Sequence, residues 1–182
     1  MKSSASTANG QEVPSSVVTK LTVLGATGSI GLNTLEIVRQ FPQKFKIEAL
    51  SCRSSIERLV EQIKEFKPRL VCVDNSEQAR ELRETFREGN SGTETEFVWG
   101  VEGLVQVSSD PEVDLVVAGI VGAAGLQPTF SAVQAGKTVA VANKEPLVMA
   151  GELFVQTANK TGAKLLPTDS EHNAIFQALH GE

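Results

Sequence analysis

The sequence is poor in several residue types that often carry chemistry: its 182 residues include no tyrosine, one tryptophan, two cysteines and two histidines. The lack of tyrosine excludes the short-chain oxidoreductases, whose catalytic acid is a tyrosine. Cys52 and Cys72 both lie in apolar, strand-like segments, so we expect buried, reduced thiols and neither a disulfide nor a metal pair. Neither position suits the reactive cysteine of semialdehyde-type dehydrogenases, which need it in a separate domain.

The sequence also lacks long apolar runs and an excess of positive charge. No apolar run approaches the roughly 20 residues of a membrane-spanning helix, and the net charge of −5 gives no electrostatic reason to expect nucleic acid or a membrane as partner. Residues 1–19 are serine-rich and without hydrophobic periodicity, so a disordered tail is expected. This stretch lacks the apolar segment of a secretory signal and the arginines of a transit peptide. We expect a cytoplasmic, bacterial-type protein; the tail does not support the alternative, a plastid-type organelle.

From Lys20 onward, short apolar runs alternate with amphipathic stretches. The run "KLTVL" is typical of a strand, and "SIGLNTLEIVRQF" has apolar residues at helical spacing. The same alternation continues to "KLLP" at Lys164–Pro167. Strands that alternate with helices predict a parallel sheet with helices on both faces. We therefore expect a doubly wound α/β fold with a mostly parallel, Rossmann-like sheet.

Three glycines, Gly25, Gly28 and Gly31, fall between the first strand and the first helix. A dinucleotide-binding fold presents backbone N–H groups and a helix N-terminus to a pyrophosphate at this position. The spacing GxxGxxG is a variant of the usual fingerprint GxGxxG. The alternative is a tight turn that needs glycine only for packing. A P-loop nucleoside triphosphatase is disfavoured, because its pattern GxxxxGK[ST] is absent from this loop.

The end of the second strand indicates which nucleotide is bound. NAD sites place a carboxylate there, but Glu48 precedes further strand residues and is not expected to reach the tip. Instead the strand ends in Arg53, Ser54 and Ser55. An arginine followed by hydroxyls suits a 2′-phosphate, which favours NADP. Alternatively, Ser54 or Ser55 caps the next helix.

Two later segments also carry candidate groups. In "ANKEP", Asn143 is a good N-cap, whereas Lys144 opposes the helix dipole at about 0.3–1 kcal/mol, a cost that an anionic ligand would offset. A solvated surface lysine is the alternative. In "PTDSEHN", Asp169 and Glu171 would project to the same side of an extended chain and would suit Mg²⁺ or Mn²⁺. From the residues alone an ordinary helix cap is favoured there.

The segments "LGATGSIG", "AGIVGAAGLQPT", "AGKTVAVANKE" and "LLPTDSEHNAIFQ" together closely resemble the 1-deoxy-D-xylulose-5-phosphate reductoisomerase family, from about Lys20 to Leu179. The resemblance implies NADPH-dependent conversion of 1-deoxy-D-xylulose 5-phosphate, a phosphosugar, to 2-C-methyl-D-erythritol 4-phosphate in non-mevalonate isoprenoid biosynthesis. It also implies a Mg²⁺ or Mn²⁺ ion that chelates the substrate oxygens, and a homodimeric parent enzyme. Two local departures, Pro146 and Thr168, remove no functional group.

The resemblance assigns a role to each candidate residue. Cofactor contacts would come from the glycine loop, the end of the second strand and the "NKE" segment: Thr27, Gly28, Ser29, Ile30, Arg53, Ser54, Ser55, Asn143 and Glu145. Substrate contacts would come from Lys144, Ser170 and Glu171, of which Lys144 and Glu171 would be catalytic. Metal ligands would be Asp169 and Glu171.

Family members continue beyond this sequence, with a catalytic domain that supplies a third carboxylate ligand and a flap. We therefore expect residues 20–167 to be an NADPH-binding domain and residues 168–182 to begin a truncated catalytic domain. Such a chain would bind cofactor without being catalytically competent alone. The alternative is a stand-alone NADP-binding or sensor module without catalysis.

Overall fold

The computed structural model describes residues 18–88 and 94–168. Strands and helices alternate along this part of the chain, as the sequence predicts. The strands are β1 Thr19–Leu24, β2 Phe45–Ser51, β3 Leu70–Val73, β4 Glu96–Trp99, β5 Leu115–Ala118, β6 Thr138–Val141 and β7 Lys164–Pro167. The helices are α1 Ser29–Gln40, α2 Ile56–Phe66, α3 Ser76–Glu88, α4 Gly100–Ser109, α5 Leu126–Gln134 and α6 Glu145–Thr161, and a 3₁₀ turn spans Ala123–Gly125.

The strands form one sheet in the order β4-β3-β2-β1-β5-β6-β7, and every neighbouring pair is parallel. The chain winds outward from β1 to β4, and α4 then returns it to β5 on the other side of β1. The strand order therefore reverses between β1 and β5. In an open parallel sheet, ligands bind at the carboxyl ends of the strands beside such a reversal. The predicted doubly wound fold is confirmed.

The two faces of the sheet are covered by different helices, as predicted. Helices α1, α2 and α3 bury Leu35, Leu59 and Leu82 against one face. Helices α4, α5 and α6 cover the other face with Val107, Val133 and Phe154. Each apolar side chain of this size contributes about 1.5–3 kcal/mol when fully buried. In the described part of the chain, no helix is long and apolar enough to span a bilayer.

Helix α4 is the element that hydrophobic periodicity does not predict. Its sequence, GVEGLVQVSS, contains two glycines and several β-branched residues, which are poor helix formers. Packing explains why it is helical: a Cβ on Gly103 would lie 3.0 Å from Cys72 Sγ and 3.1 Å from Val98 Cγ2. The Thr22 hydroxyl also donates a 2.7 Å hydrogen bond to the Val107 carbonyl. Close contact with the sheet thus outweighs local propensity.

A partly buried ion cluster lies where α4 leads into β5 and where β3 begins. The side chains of Glu48, on β2, and Asp110 are 4% and 10% exposed, whereas the side chain of Arg69 is 41% exposed. Arg69 Nε lies 3.0 Å from Glu48 Oε1, and its Nη2 lies 2.5 Å from Asp110 Oδ2. Hydrogen bonding to Asp110 raises the pKa of Arg69. Glu48 therefore does not reach the carboxyl end of β2, as the sequence predicts.

Both cysteines are free and buried, as expected. Burial raises the pKa of the Cys72 thiol from 9.0 to about 12, and the Asp74 carboxylate adds to the effect. Between these two values the unfolded chain loses a proton that the folded chain keeps, so alkali favours unfolding. We expect the free energy of unfolding to fall between pH 9 and pH 12 by at most about 1.4 kcal/mol per pH unit on account of this thiol.

Urea denaturation of the protein and of Cys72→Ala at pH 7.5, 9 and 10.5 measures this effect. The variant should be the less stable at neutral pH, and its deficit should shrink as pH rises. A deficit that stays constant over this range would contradict the raised thiol pKa.

Candidate functional site

Four loops meet at the carboxyl edge of the sheet, after β1, β2, β5 and β6. Backbone hydrogen bonds join the first three: Gly119 N–H donates to the Leu24 carbonyl at 3.0 Å, and Ala26 N–H donates to the Ser51 carbonyl at 2.8 Å. The Asn143 side chain ties the fourth loop to Gly122. The predicted glycine loop, the end of β2 and the "NKE" segment are therefore brought together.

The glycine loop packs backbone against backbone. Gly25 has a φ of +79°, and its N–H donates to the Ser51 hydroxyl at 3.0 Å. A Cβ on Gly31 would lie 2.5 Å from the carbonyl oxygens of both Gly25 and Ala26, closer than any side chain tolerates. Only glycine therefore allows α1 to start this close to the loop. Close packing thus explains Gly25 and Gly31, and phosphate binding by the loop stays a prediction.

The N-terminus of α1 is open to ligand. Gly28, Ser29 and Ile30 are exposed, and no side chain caps the helix. The first N–H groups of a helix have no partner within the helix and carry partial positive charge. The first turn of α1 also contains no acidic residue. The arrangement suits a phosphate or another anion.

Two residues that sequence reasoning did not identify hold this loop from α2. Arg58 Nη1 donates a 3.1 Å hydrogen bond to the Thr27 carbonyl, and Gln62 Nε2 donates a 3.0 Å hydrogen bond to the Ala26 carbonyl. Their spacing of four residues places both on one side of the helix. A polar residue at a buried helical position is the only local sign that could have pointed to Gln62.

The end of β2 presents a cation and hydroxyls to solvent. The Arg53 side chain is 85% exposed, with Nε 3.6 Å from Asp74 Oδ1. Ser54 and Ser55 are exposed as well. Ser55 is the residue before α2, but its hydroxyl makes no capping hydrogen bond, so the helix-cap alternative is wrong for Ser55. Ser54 and Ser55 line a surface depression together with Arg58.

Asn143 connects the loops after β5 and β6. It is 5% exposed, and its Nδ2 donates to the carbonyls of Ile120 at 2.5 Å and Gly122 at 3.2 Å. Its Oδ1 accepts from Glu145 N–H at 3.1 Å. The predicted N-cap position is wrong by one residue, because Lys144 is the residue before α6, but the Asn143 side chain still satisfies the first amide of the helix. Lys144 and Glu145 are exposed at the helix start.

The remaining predicted site residues, Asp169, Ser170 and Glu171, lie outside the described residues, as does the helix predicted after them. Within residues 18–88 and 94–168, no group of three histidine, cysteine or carboxylate side chains is arranged to hold a metal ion. The ligand assignment to Asp169 and Glu171 therefore stays a prediction. Strand β7 ends at Pro167, on the same edge of the sheet as the other candidate loops.

Comparison with known proteins identifies relatives of this sequence. The sequence model of the 1-deoxy-D-xylulose 5-phosphate reductoisomerase family matches residues 21–151. The reductoisomerase of Dechloromonas aromatica is 52% identical over 165 residues, which are 91% of this chain and 41% of that protein. The one of Glaesserella parasuis is 48% identical over 163 residues, 90% of this chain and 41% of that protein. The chain thus spans about two fifths of the length of these relatives.

Solved structures of this family have a fold similar to that of the described chain. A crystal structure of DOX-P reductoisomerase in complex with NADPH, fosmidomycin and magnesium has a TM-score of 0.83 at 47% identity, covering 88% of this chain and 38% of that one. The Zymomonas mobilis enzyme in complex with NADPH has a TM-score of 0.81 at 37% identity, covering 88% of this chain and 41% of that one. With most of its length matched by the family's sequence model, the chain belongs to the 1-deoxy-D-xylulose 5-phosphate reductoisomerase family.

Proposed function

We propose that this chain is the cofactor-binding part of an enzyme that converts 1-deoxy-D-xylulose 5-phosphate to 2-C-methyl-D-erythritol 4-phosphate with NADPH. The observation that carries the proposal is the cradle at the start of α1, which a Cβ on Gly31 would fill. Beside it lies the exposed N-terminus of α1, which has the charge and the shape to take a pyrophosphate. Relatives of this chain have been solved with NADPH bound.

The proposed cofactor contacts follow the geometry of the edge. Thr27, Gly28, Ser29 and Ile30 bind the pyrophosphate at the start of α1. Arg53, Ser54 and Ser55 bind the adenosine end, where an exposed guanidinium can take a 2′-phosphate. On the far side of the strand reversal, Asn143 and Glu145 lie towards the nicotinamide half, and buried Asn143 acts through the loops that it holds.

The substrate and metal assignments rest on the family and on the candidate residues. Lys144 is exposed at the start of α6, where a substrate phosphate or oxyanion would offset its unfavourable position in the helix dipole. We assign Ser170 and Glu171 to substrate, and Asp169 and Glu171 to a divalent cation. A bound Mg²⁺ or Mn²⁺ ion supplies Lewis-acid polarisation of substrate oxygens. One relative has been solved with magnesium and fosmidomycin.

Replacing Arg53 with alanine tests the cofactor assignment. The guanidinium is proposed to make charge-assisted hydrogen bonds to the 2′-phosphate, which NADH lacks. Because the side chain is exposed, the expected loss of NADPH affinity is about tenfold, with less than a twofold change for NADH. Fluorescence or calorimetric titration of both dinucleotides measures the difference. Arg80→Ala, which removes an exposed arginine on α3, is the matched control, and equal losses for both dinucleotides in Arg53→Ala would refute the role.

We further propose that residues 20–167 form the NADPH-binding domain and that residues 168–182 begin a catalytic domain. Since the chain spans about two fifths of its relatives' length, the 182 residues are expected to bind NADPH and turn over no substrate. An assay of NADPH oxidation with 1-deoxy-D-xylulose 5-phosphate checks this, and measurable turnover would contradict it.

We also propose a cytoplasmic location and a homodimeric parent enzyme. A sensor module is the less favoured function, because nucleotide binding alone would not need the "DSEHN" segment.

A further inference from the structure

Two side chains of α2 donate hydrogen bonds to backbone carbonyls of the glycine loop, although neither is among the proposed cofactor contacts. We propose that Gln62 and Arg58 are positioning residues that fix two peptide planes of the loop. Gln62 directs the Thr27 N–H towards the pyrophosphate. Arg58 directs the Gly28 N–H towards the Gly25 carbonyl, which closes the turn. The inference rests on the proposed NADPH-binding function. Neither side chain has to touch the nicotinamide cofactor for this role, because each acts through a backbone carbonyl.

The planarity of the trans peptide determines where the N–H groups of the loop point. In a planar trans peptide, the C=O of one residue and the N–H of the next point in opposite directions. Gln62 holds the Ala26 carbonyl towards α2 at 3.0 Å, so the Thr27 N–H must point away from α2. Arg58 holds the Thr27 carbonyl in the same way at 3.1 Å. The Gly28 N–H therefore also points away from α2, and it donates to the Gly25 carbonyl at 3.1 Å.

The Gln62 side chain is buried and contains an unpaired polar atom. Gln62 is only 3% exposed, and among the described residues its Oε1 has no hydrogen-bond partner. Leaving a buried polar atom unpaired is destabilising. The atom next to the Ala26 carbonyl must be the NH₂ group, because a carbonyl only accepts, so rotating the amide would not remove the cost. An apolar side chain of similar size would have no unpaired atom but would leave the Ala26 carbonyl without its donor, and the amide is therefore better explained by the loop that it holds than by core packing.

Arg58 also holds the glycine loop, and it brings a positive charge close to it. Its side chain is exposed, donates to the Thr27 carbonyl and lines the surface depression together with Ser54, Ser55, Glu57 and Glu61. One of its five N–H donors is used by Thr27, and its positive charge lies beside Ser54 and Ser55, two of the proposed cofactor contacts. Gln62 thus supplies a neutral, buried constraint and Arg58 a charged, exposed one. The two contributions are separable by ionic strength.

The test compares Gln62→Met, Arg58→Met and the control Lys64→Met, which removes an exposed polar side chain of α2. Calorimetry measures binding of NADPH and of 2′-AMP, a probe that carries the 2′-phosphate but no pyrophosphate. For Gln62→Met we expect NADPH affinity to fall about fivefold to tenfold, with 2′-AMP affinity within twofold of that of the unmodified protein. For Arg58→Met we expect a loss of NADPH affinity that becomes smaller at high salt concentration. Lys64→Met should match the unmodified protein.

Two results would overturn the inference while the proposed function stands. One is an unchanged NADPH affinity in Gln62→Met, and the other is an equal loss for both ligands together with a lower melting temperature, which would indicate a purely structural role. Failure of the unmodified chain to bind NADPH is a different result, which overturns the proposed function and the inference that rests on it. The Thr27 amide signal in a proton–nitrogen NMR spectrum gives a further readout, because it should shift on adding NADPH and shift less in Gln62→Met.

Discussion

Replacing Gly31 with alanine is expected to lower the free energy of unfolding by about 1–3 kcal/mol and to weaken NADPH binding at least tenfold. The new methyl group would lie 2.5 Å from two backbone oxygens, those of Gly25 and Ala26, and 2.6 Å from the Ala26 carbonyl carbon. Backbone atoms cannot turn aside as a flexible side chain can. Either α1 or the loop must therefore move, and both carry proposed pyrophosphate contacts.

The matched control is Gly28→Ala, three residues earlier in the same loop. Its new Cβ would meet only the Gly25 carbonyl, at an ordinary 3.4 Å, and Gly28 has a φ of −81° that alanine adopts freely. Its unfolding free energy should stay within about 0.5 kcal/mol of the unmodified protein. Urea denaturation and NADPH titration measure both variants. If Gly31→Ala were as stable as Gly28→Ala and bound NADPH as well as the unmodified chain, the close contact would not be needed.

Removing the Arg69 charge is expected to cost more stability than removing an exposed ion pair. In Arg69→Met, the carboxylates of Glu48 and Asp110 stay buried and lose the guanidinium that lies 3.0 Å and 2.5 Å from them. A fully buried pair would cost about 3–5 kcal/mol to break, but Arg69 is 41% exposed and Lys46 Nζ stays 3.1 Å from Glu48 Oε2, so solvent and this second cation reduce the expected loss to about 1–3 kcal/mol. The free energy of unfolding from urea denaturation should fall by this amount.

An exposed ion pair supplies the comparison for Arg69. Lys20 Nζ lies 2.5 Å from Glu112 Oε2, with side chains 35% and 58% exposed, and such pairs contribute at most about 1 kcal/mol. Lys20→Met should therefore change stability little. Combining Arg69→Met with Glu48→Met and Asp110→Asn should recover much of the loss, since no buried charge would then be left. Similar losses in Arg69→Met and Lys20→Met would show that the cluster is not desolvated in solution.

The sequence predicts the parts of this molecule that depend on local pattern. Alternating apolar and amphipathic segments predict the parallel sheet and the helices on both faces, and the position of Glu48 within β2 predicts that it does not reach the strand tip. The strand tips carry the candidate loops because a parallel sheet collects its carboxyl ends at one edge. Glycines between a strand and a helix indicate a close backbone approach, and the structure locates it at Gly31.

The parts that were not predicted depend on residues far apart in the sequence. Helix α4 forms because Gly103 packs on Cys72 and Val98, a contact that no local period encodes. Gln62 and Arg58 reach carbonyls 36 and 31 residues earlier, so neither is recognisable as part of the loop before the fold is known. Arg69 and Asp110 meet across 41 residues for the same reason. The roles of Asp169, Ser170 and Glu171 remain predictions.

The three hydrogen bonds of Asn143 have a consequence for binding energetics. They fix the loop after β5 to the loop after β6 in the ligand-free chain. The conformational freedom that a ligand would otherwise have to remove from these loops has thus already been lost in folding. Less of the interaction energy of any ligand is then consumed in ordering its own site, which is the general basis of preorganised recognition. A side chain that contacts only backbone can in this way raise the affinity of a site without touching what binds there.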